Sequence, residues 1–513
     1  MVVSTNPANP PAPLTLVTRL AEQLEQVGVH YCHWKSNHRL SEFLAGSGDL
    51  DLLVAPEDAR RFDAVVTQLG FLSARPPEHH RQRSVEHYYG FDPSGHIVHL
   101  HVYYRLVTGG LILKDYELPF AEELLASAHA AHLLRRPTVP AECLVFLIRK
   151  LLEAASRTER WLLQRHATEV LEEWHWLRRG GDSQFGPEEM PGQLERLWKR
   201  RFPESDVRWI EDGVEALDRA DWRFASRLGR QLRRSLAEYR IHAPRTAMRL
   251  RATRFARRVL GRLCRHRRGK QLASGGAVVA LVGCDGSGKS STLAGIAAAL
   301  ATHLDTRTLH LGRPASARPW IALVRRFRRS CSNPSTSLRP VSLWRQAARV
   351  YLAWQRLKAA RQAAKWAQSG TVVLCDRYPS RAPGMDGPLP QDRRNPTTLG
   401  RFLARWETRL YQRIPPADCV VELQVPFQIL QARLESRGEC VDAEAKQLLW
   451  TRLMQITRQE IPGDCRFPVD ASGEPTECQA KVMTQIWHYL VHRERNLGEK
   501  VDFGGRLSGA AVA

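Results

Sequence analysis

Eight consecutive residues carry the sharpest chemistry in the chain. Gly283-Cys284-Asp285-Gly286-Ser287-Gly288-Lys289-Ser290 has the G-x-x-x-x-G-K-S spacing of a phosphate-binding loop, or P-loop. Glycines let a backbone wrap a phosphate chain without Cβ clashes. Successive N–H groups and a helix N-terminus would then face the anion. Lys289 adds a mobile positive charge for the β- and γ-phosphates, and Ser290 a hydroxyl for Mg²⁺. Ser291, the next residue, completes the donor-binding set. ATP and Mg²⁺ are the expected cofactors. Binding of nucleotide without catalysis is the plainer alternative.

A second constellation lies at Thr371–Pro379, where an apolar run ends in Asp376-Arg377-Tyr378. In a parallel α/β sheet the carboxyl ends of the strands meet at the ligand site. Asp376 is therefore expected beside Mg²⁺ and Lys289, with Arg377 aimed at a second phosphoryl group; a structural ion pair is the alternative. A third pattern is Gly46-Ser47-Gly48-Asp49-Leu50-Asp51. Aspartates two apart on a strand share a face and repel unless a divalent cation lies between them. Asp49 and Asp51 are thus candidate metal ligands, with a capped tight turn as the alternative. His99 and His101 share a face of a later predicted strand.

These residues need elements to position them. Ala277–Val282 is apolar and β-branched, as a buried strand should be, and Ser291–Leu300 is an Ala- and Leu-rich helix. Around Asp49 the pattern predicts helices over 14–26, 38–45 and 56–69. It predicts strands over 29–34, 50–54 and 71–74. A hairpin is expected over 87–91 and 96–106, about the turn Asp92-Pro93-Ser94-Gly95. The expected organisation is a disordered tail (1–13), a small α/β domain (14–110), a helical region (111–244) and a basic linker (245–274). An α/β P-loop domain (275–492) and a flexible tail (493–513) complete it. Residues 245–270 carry eleven Arg or Lys and no acid, so an exposed connector or a phosphate-rich surface is expected there.

With these motifs in hand, the C-terminal half resembles thymidylate kinases over roughly 277–490. Asp285 inside the P-loop and Asp376-Arg377-Tyr378 carry the resemblance. Leu311-Gly312-Arg313-Pro314, Glu407-x-x-x-Tyr411, Pro416–Pro426 and Val469–Ser472 follow in the family's order. The resemblance implies a three-layer kinase fold on a parallel sheet and transfer from ATP to a nucleoside monophosphate or related phosphorylated molecule. It implies that Asp285 contacts the acceptor sugar, that Arg313 and Arg377 hold the acceptor phosphate, and that Tyr378 lies with them. Arg356 would reach the base, and Asp386 is a candidate acceptor contact or a turn residue. Arg433 and Arg437, at i,i+4 on one helix, would close over the donor phosphates. A homodimer is implied too. The N-terminal Asp-x-Asp strand is similar to nucleotidyltransferases. Trp34-Lys35-Ser36-Asn37 stands in place of their phosphate-binding turn, and His99 where a third carboxylate is expected.

Composition narrows the partners without naming one. At 513 residues two or three domains are expected, and the net charge of +23 implies attraction to something acidic: nucleic acid, anionic lipid or phosphorylated substrates. No apolar run approaches a membrane span, no secretory signal is apparent, and the ten cysteines form no C-x-x-C pair. The cytoplasm is the expected location. Two other classes stay open: an NTPase bound to nucleic acid or a membrane surface, and a degenerate kinase that senses nucleotide.

Overall fold

The computed structural model describes residues 11–77, 81–82, 84–110, 112–131, 133–181, 189–263, 269–312, 341–383, 386–438, 446–447, 449–451, 453–454 and 463–508. The chain forms two compact units, Met1–Arg267 and Arg268–Ala513, and each is described by itself.

In the first unit, strands β1 (Tyr31–His33), β2 (Asp49–Val54), β3 (Leu72–Arg75), β4 (Val85–Phe91) and β5 (Ile97–Tyr103) lie in the order β1-β2-β5-β4-β3. Only β2 and β5 run parallel; the other neighbours are antiparallel. Alternation sorts their side chains onto two faces. Leu50, Leu52, Val54, Val98, Leu100 and Val102 pack with the helices Thr15–Val27 and Ala59–Gln68. Leu53, Trp34 and Tyr103 turn the other way, into a core shared with the helix Val139–Ala154. Asp49, Asp51, His99 and His101 are in phase with this second set.

That shared core corrects the domain boundary expected at residue 110. Two further hairpins follow, β6 (Val107–Gly109) with β7 (Lys114–Glu117) and β8 (His129–Ala131) with β9 (Leu134–Arg136), with the short helix Ala121–Ala126 between them, before the long helix Val139–Ala154 begins. The helix Val139–Ala154 is buried on nearly every side, as an apolar helix at the centre of a domain must be. The helix Trp222–Ser235 crosses it so closely that a Cβ on Gly229 would fall 1.9 Å from Leu151 O. The α/β part and the helices therefore fold around one interior. Most of the expected basic linker is helix, Pro244–Leu263.

The second unit holds a five-stranded sheet, preceded by the two-residue strand β10 (Gln271–Leu272). Its strands are β11 (Val278–Gly283), β12 (Thr306–His310), β13 (Val372–Asp376), β14 (Ala417–Gln424) and β15 (Gly463–Asp470). They lie in the order β12-β13-β11-β14-β15, all parallel. Val278, Ala280 and Val282 pack against the helices Leu343–Gln368 and Thr398–Gln412. The helices Lys289–Ala301 and Pro475–Ser508 meet each other, Thr292 Oγ1 lying 3.7 Å from Cys478 Sγ. The strand order reverses beside β11, which opens a ligand crevice at the carboxyl ends of β11 and β13. The expected flexible tail is corrected in part: helix continues to Ser508. Arg493 anchors its middle, donating to Gly276 O and lying 3.6 Å from Asp418. Among the described residues no helix is long and apolar enough to cross a membrane.

Candidate active site

The P-loop joins β11 to the helix that starts at Lys289. Gly286 and Gly288 have φ of +87° and +86°, the left-handed region that glycine enters without a Cβ penalty. Lys289 is buried, and its Nζ donates to Cys284 O at 2.5 Å, across the loop it must serve. Burial and the neighbouring Arg377 lower its pKa, while Asp285 and Asp376 oppose them. Ser287 Oγ is buried with no partner among the described residues.

Asp376 ends β13 directly beside β11, paired with Leu281. Its Oδ2 lies 3.5 Å from Ser290 Oγ and 3.0 Å from His310 Nδ1. The His310 hydrogen bond is the main influence holding its pKa low, aided by Lys289 and Arg377 against partial burial. Its Oδ1 is buried and unpartnered among the described residues. A hydroxyl and a carboxylate with an orphan oxygen fit the hard-oxygen donor set of Mg²⁺, so Ser290 and Asp376 are the residues that would hold it.

Arg377 follows in the left-handed region, φ +64°, an uncommon conformation for a non-glycine residue. Its backbone N–H donates to Leu281 O at 3.0 Å, and the turn sends its guanidinium back toward the loop. There it meets Asp285 at 2.6 Å and Asp386 at 3.3 Å. Asp386, also left-handed at φ +60°, takes a second arginine: Arg356 donates to it at 2.8 Å. Arg356 is buried and also donates to Tyr411 Oη at 2.6 Å and Gly312 O at 2.5 Å. Asp285, Lys289, Ser290, Asp376, Arg377, Arg356 and Asp386 thus form one connected site.

Other residues expected there make different contacts. Tyr378 is almost fully buried in the core, where its hydroxyl donates to Pro415 O at 2.9 Å. It supports the strand end. Arg433 donates to the carbonyls of Ala471, Ser472 and Gly473 at 3.0–3.3 Å, holding the loop after β15. Arg437 does not share its helix, which ends at Glu435; it sits exposed in the turn beyond. Arg313 and the basic run 325–329 lie outside the described residues. His310 was not anticipated, although its place at the end of the strand beside β13 was a usable sign. Arg349, 3.0 Å from the buried Glu407, was also missed.

In the first unit Asp49 and Asp51 stand in register with His99 and His101. His99 Nδ1 is 2.7 Å from Asp49, and His101 Nδ1 is 3.0 Å from Asp51. Lys35 lies 2.9 Å from the same Asp51 oxygen. Burial raises the Asp51 pKa, but Lys35 and His101 overcome it and hold the group well below its usual range. Burial pushes His101 down to about 4 and Lys114, which donates to Tyr103 Oη at 2.7 Å, down to about 7. Among the described residues no group of three or more His, Cys, Asp or Glu could hold a metal ion. The two carboxylates are engaged by imidazoles and an ammonium, and do not fit a pair of divalent ions. The turn expected to bind phosphate gives the Ser36 N–H to Glu173 at 3.0 Å, beside a cavity of about 270 Å³.

Fold and site together define a P-loop unit with the residues of a nucleoside-triphosphate site. No family model matches the chain. It is 30% identical over 152 residues to the uncharacterized ATP-binding protein YghR of Escherichia coli strain K12, and equally to that of strain O6:H1. The match covers 27% of this chain, which spans 60% of the length of those relatives. Among solved structures it is similar to a gluconokinase from Sinorhizobium meliloti 1021 (17% identity, 44% of this chain, 97% of that one, TM-score 0.23). It is also similar to thymidylate kinase from Candida albicans (14% identity, 42% and 94%, TM-score 0.27).

Proposed function

We propose that residues 268–513 transfer the γ-phosphoryl group of ATP to a nucleoside monophosphate of the thymidylate kind or a related phosphorylated small molecule. The observation that carries this reading is the position of Arg377: a second phosphate-binding cation, turned back to 2.6 Å from the P-loop residue Asp285. A site that only binds ATP has no need of it. The ATP-binding description of the YghR relatives supports the donor side. An acceptor oxygen forms the new bond to the γ-phosphorus, the β–γ bridging bond breaks, and ADP leaves with the electron pair. Lys289 and the loop N–H groups steady the donor, while Arg377 holds the acceptor and offsets repulsion between the phosphates. Mg²⁺ on Ser290 and Asp376 would supply further neutralisation. The test is acceptor-dependent ADP release by the intact protein. Lys289→Ala is expected to lower it at least about 100-fold, the scale of one lost electrostatic contact. Undiminished release would end the reading.

For the first unit we propose a nucleotidyltransferase-like fold in which Asp49 and Asp51 accept hydrogen bonds rather than ligate two metals. Metal-dependent release of pyrophosphate that Asp49→Ala abolishes would overturn this. A surface role is proposed for the helix Pro244–Leu263. Met248, Phe255 and Val259 are exposed at spacings of seven and four, on one face among arginines, which suits an anionic bilayer better than nucleic acid. Sedimentation with phosphatidylserine vesicles should fall on replacing the three with serine; retention on RNA instead would refute it.

A further inference from the structure

The arginines offered to the acceptor are already matched by carboxylates. Arg377 meets Asp285 and Asp386, and Arg356 meets Asp386. Arg349, a third arginine nearby, is taken by Glu407. Asp386 is the hinge of this arrangement because one carboxylate receives both guanidinium groups, one on each oxygen.

Its place is built. The side chains of Asp386 and Arg356 are only 10% and 6% exposed, against 25% for Arg377. The Asp386 carbonyl accepts from Ser380 N at 3.1 Å, and the next carbonyl, Gly387 O, accepts from Arg349 at 2.8 Å. The backbone at Asp386 is held at φ +60°, where aspartate and asparagine are tolerated better than most residues. A buried carboxylate stripped of its partner is strongly destabilising, so Asp386 keeps its 2.8 Å bond to Arg356. Its 3.3 Å bond to Arg377, the more exposed of its two partners, is the one it can exchange.

We propose, resting on the kinase reading above, that Asp386 is a specificity-determining residue that sets the charge of the acceptor. An incoming anion must take Arg377 away from a carboxylate and then sit near it. A dianionic phosphate monoester attracts the guanidinium more strongly than a carboxylate does and can bind it in a fork. A monoanion, whether a carboxylate or a phosphodiester, gains no more from Arg377 than Asp386 already supplies, and is repelled by Asp386 as well. The site therefore admits the terminal phosphate of a monoester and refuses singly charged groups.

Calorimetric titration of the full chain tests this. ADP with Mg²⁺ is added first, to saturation, so that the P-loop is filled; inorganic phosphate or formate follows at pH 8. Wild-type protein is expected to bind phosphate and not formate. Asp386→Asn, which keeps the backbone preference and removes the charge, should bind phosphate at least tenfold tighter and acquire formate binding. Asp386→Gly, which suits the same φ, gives the same readout should the asparagine protein fail to fold. Phosphate affinity that is unchanged or weaker in both variants overturns the inference and leaves the kinase reading standing. Failure of ADP to bind at all removes the kinase reading, and this inference with it.

Discussion

The imidazole Nδ1 of His310 lies 3.0 Å from Oδ2 of Asp376, the same oxygen that faces Ser290 Oγ. The contact is set by strand register, since β12 and β13 pair His310 with Asp376 at their carboxyl ends. It fixes one carboxylate oxygen and leaves Oδ1 unpartnered among the described residues. Groups that orient a metal-binding carboxylate typically contribute 10–100-fold to metal affinity or activity. His310→Ala is expected to lower kcat about 10-fold and to raise the Mg²⁺ concentration needed for half-maximal rate, with little change in the KM for ATP. His310→Asn, whose amide can reach the same oxygen, should recover part of the loss. Equal magnesium dependence in all three proteins would show that the contact is only structural.

The route from sequence to this site was uneven for physical reasons. Gly286, Gly288, Lys289 and Asp376 were legible because their roles follow from local backbone geometry and from the ends of two apolar strands. The β2–β5 pairing, by contrast, is long-range: the resemblance to nucleotidyltransferases put His99 with the two aspartates, but no local pattern announces that it faces Asp49 or that Lys35 reaches Asp51. The boundary drawn at residue 110 failed for a similar reason. One face of the first sheet is covered by helices that follow its last strand, chiefly Val139–Ala154, and a period of two cannot say what covers a face. Tyr378 adjoins Arg377, yet neighbouring strand-end residues point to opposite sides, and its ring goes into the core.

Tyr378 gives the second prediction. Its hydroxyl donates to Pro415 O and the ring is buried. Removing one buried hydrogen bond costs about 1 kcal/mol. Tyr378→Phe should therefore lower the melting temperature of the second unit by a few degrees and leave the KM for the acceptor unchanged. A KM raised several-fold without loss of stability would place the hydroxyl at the ligand instead.

Arg349 and Glu407 supply the third. Glu407 is nearly inaccessible, and burial raises its pKa against the pull of Arg349, 3.0 Å away. Breaking a buried pair from one side costs about 3–5 kcal/mol. Arg349 is 32% exposed, so Arg349→Met should destabilise the protein by less than that in denaturant titration. The double variant Arg349→Met with Glu407→Gln should regain at least half of the loss, because the uncompensated charge is gone. No recovery would mean that Arg349 acts mainly through its bond to Gly387 O.

Glu142 makes the stability of the first unit depend on pH. It lies on the buried helix Val139–Ala154 and accepts from Asn37 Nδ2 at 2.8 Å. Burial pushes its pKa up to about 8; Asn37 lowers it only in part. Between about 4.5, the usual value for glutamate, and about 8 the folded chain holds a proton that the unfolded chain has released. Stability from this group is therefore complete below the lower value, declines as pH rises through the window, and is level above about 8. Glu142→Gln keeps the shape and the acceptor oxygen without the titration. It should match the parent near pH 5 and melt several degrees higher at pH 8.5. A parent and variant that melt in parallel across this range would show that Glu142 stays ionised in the fold, with a partner yet to be found.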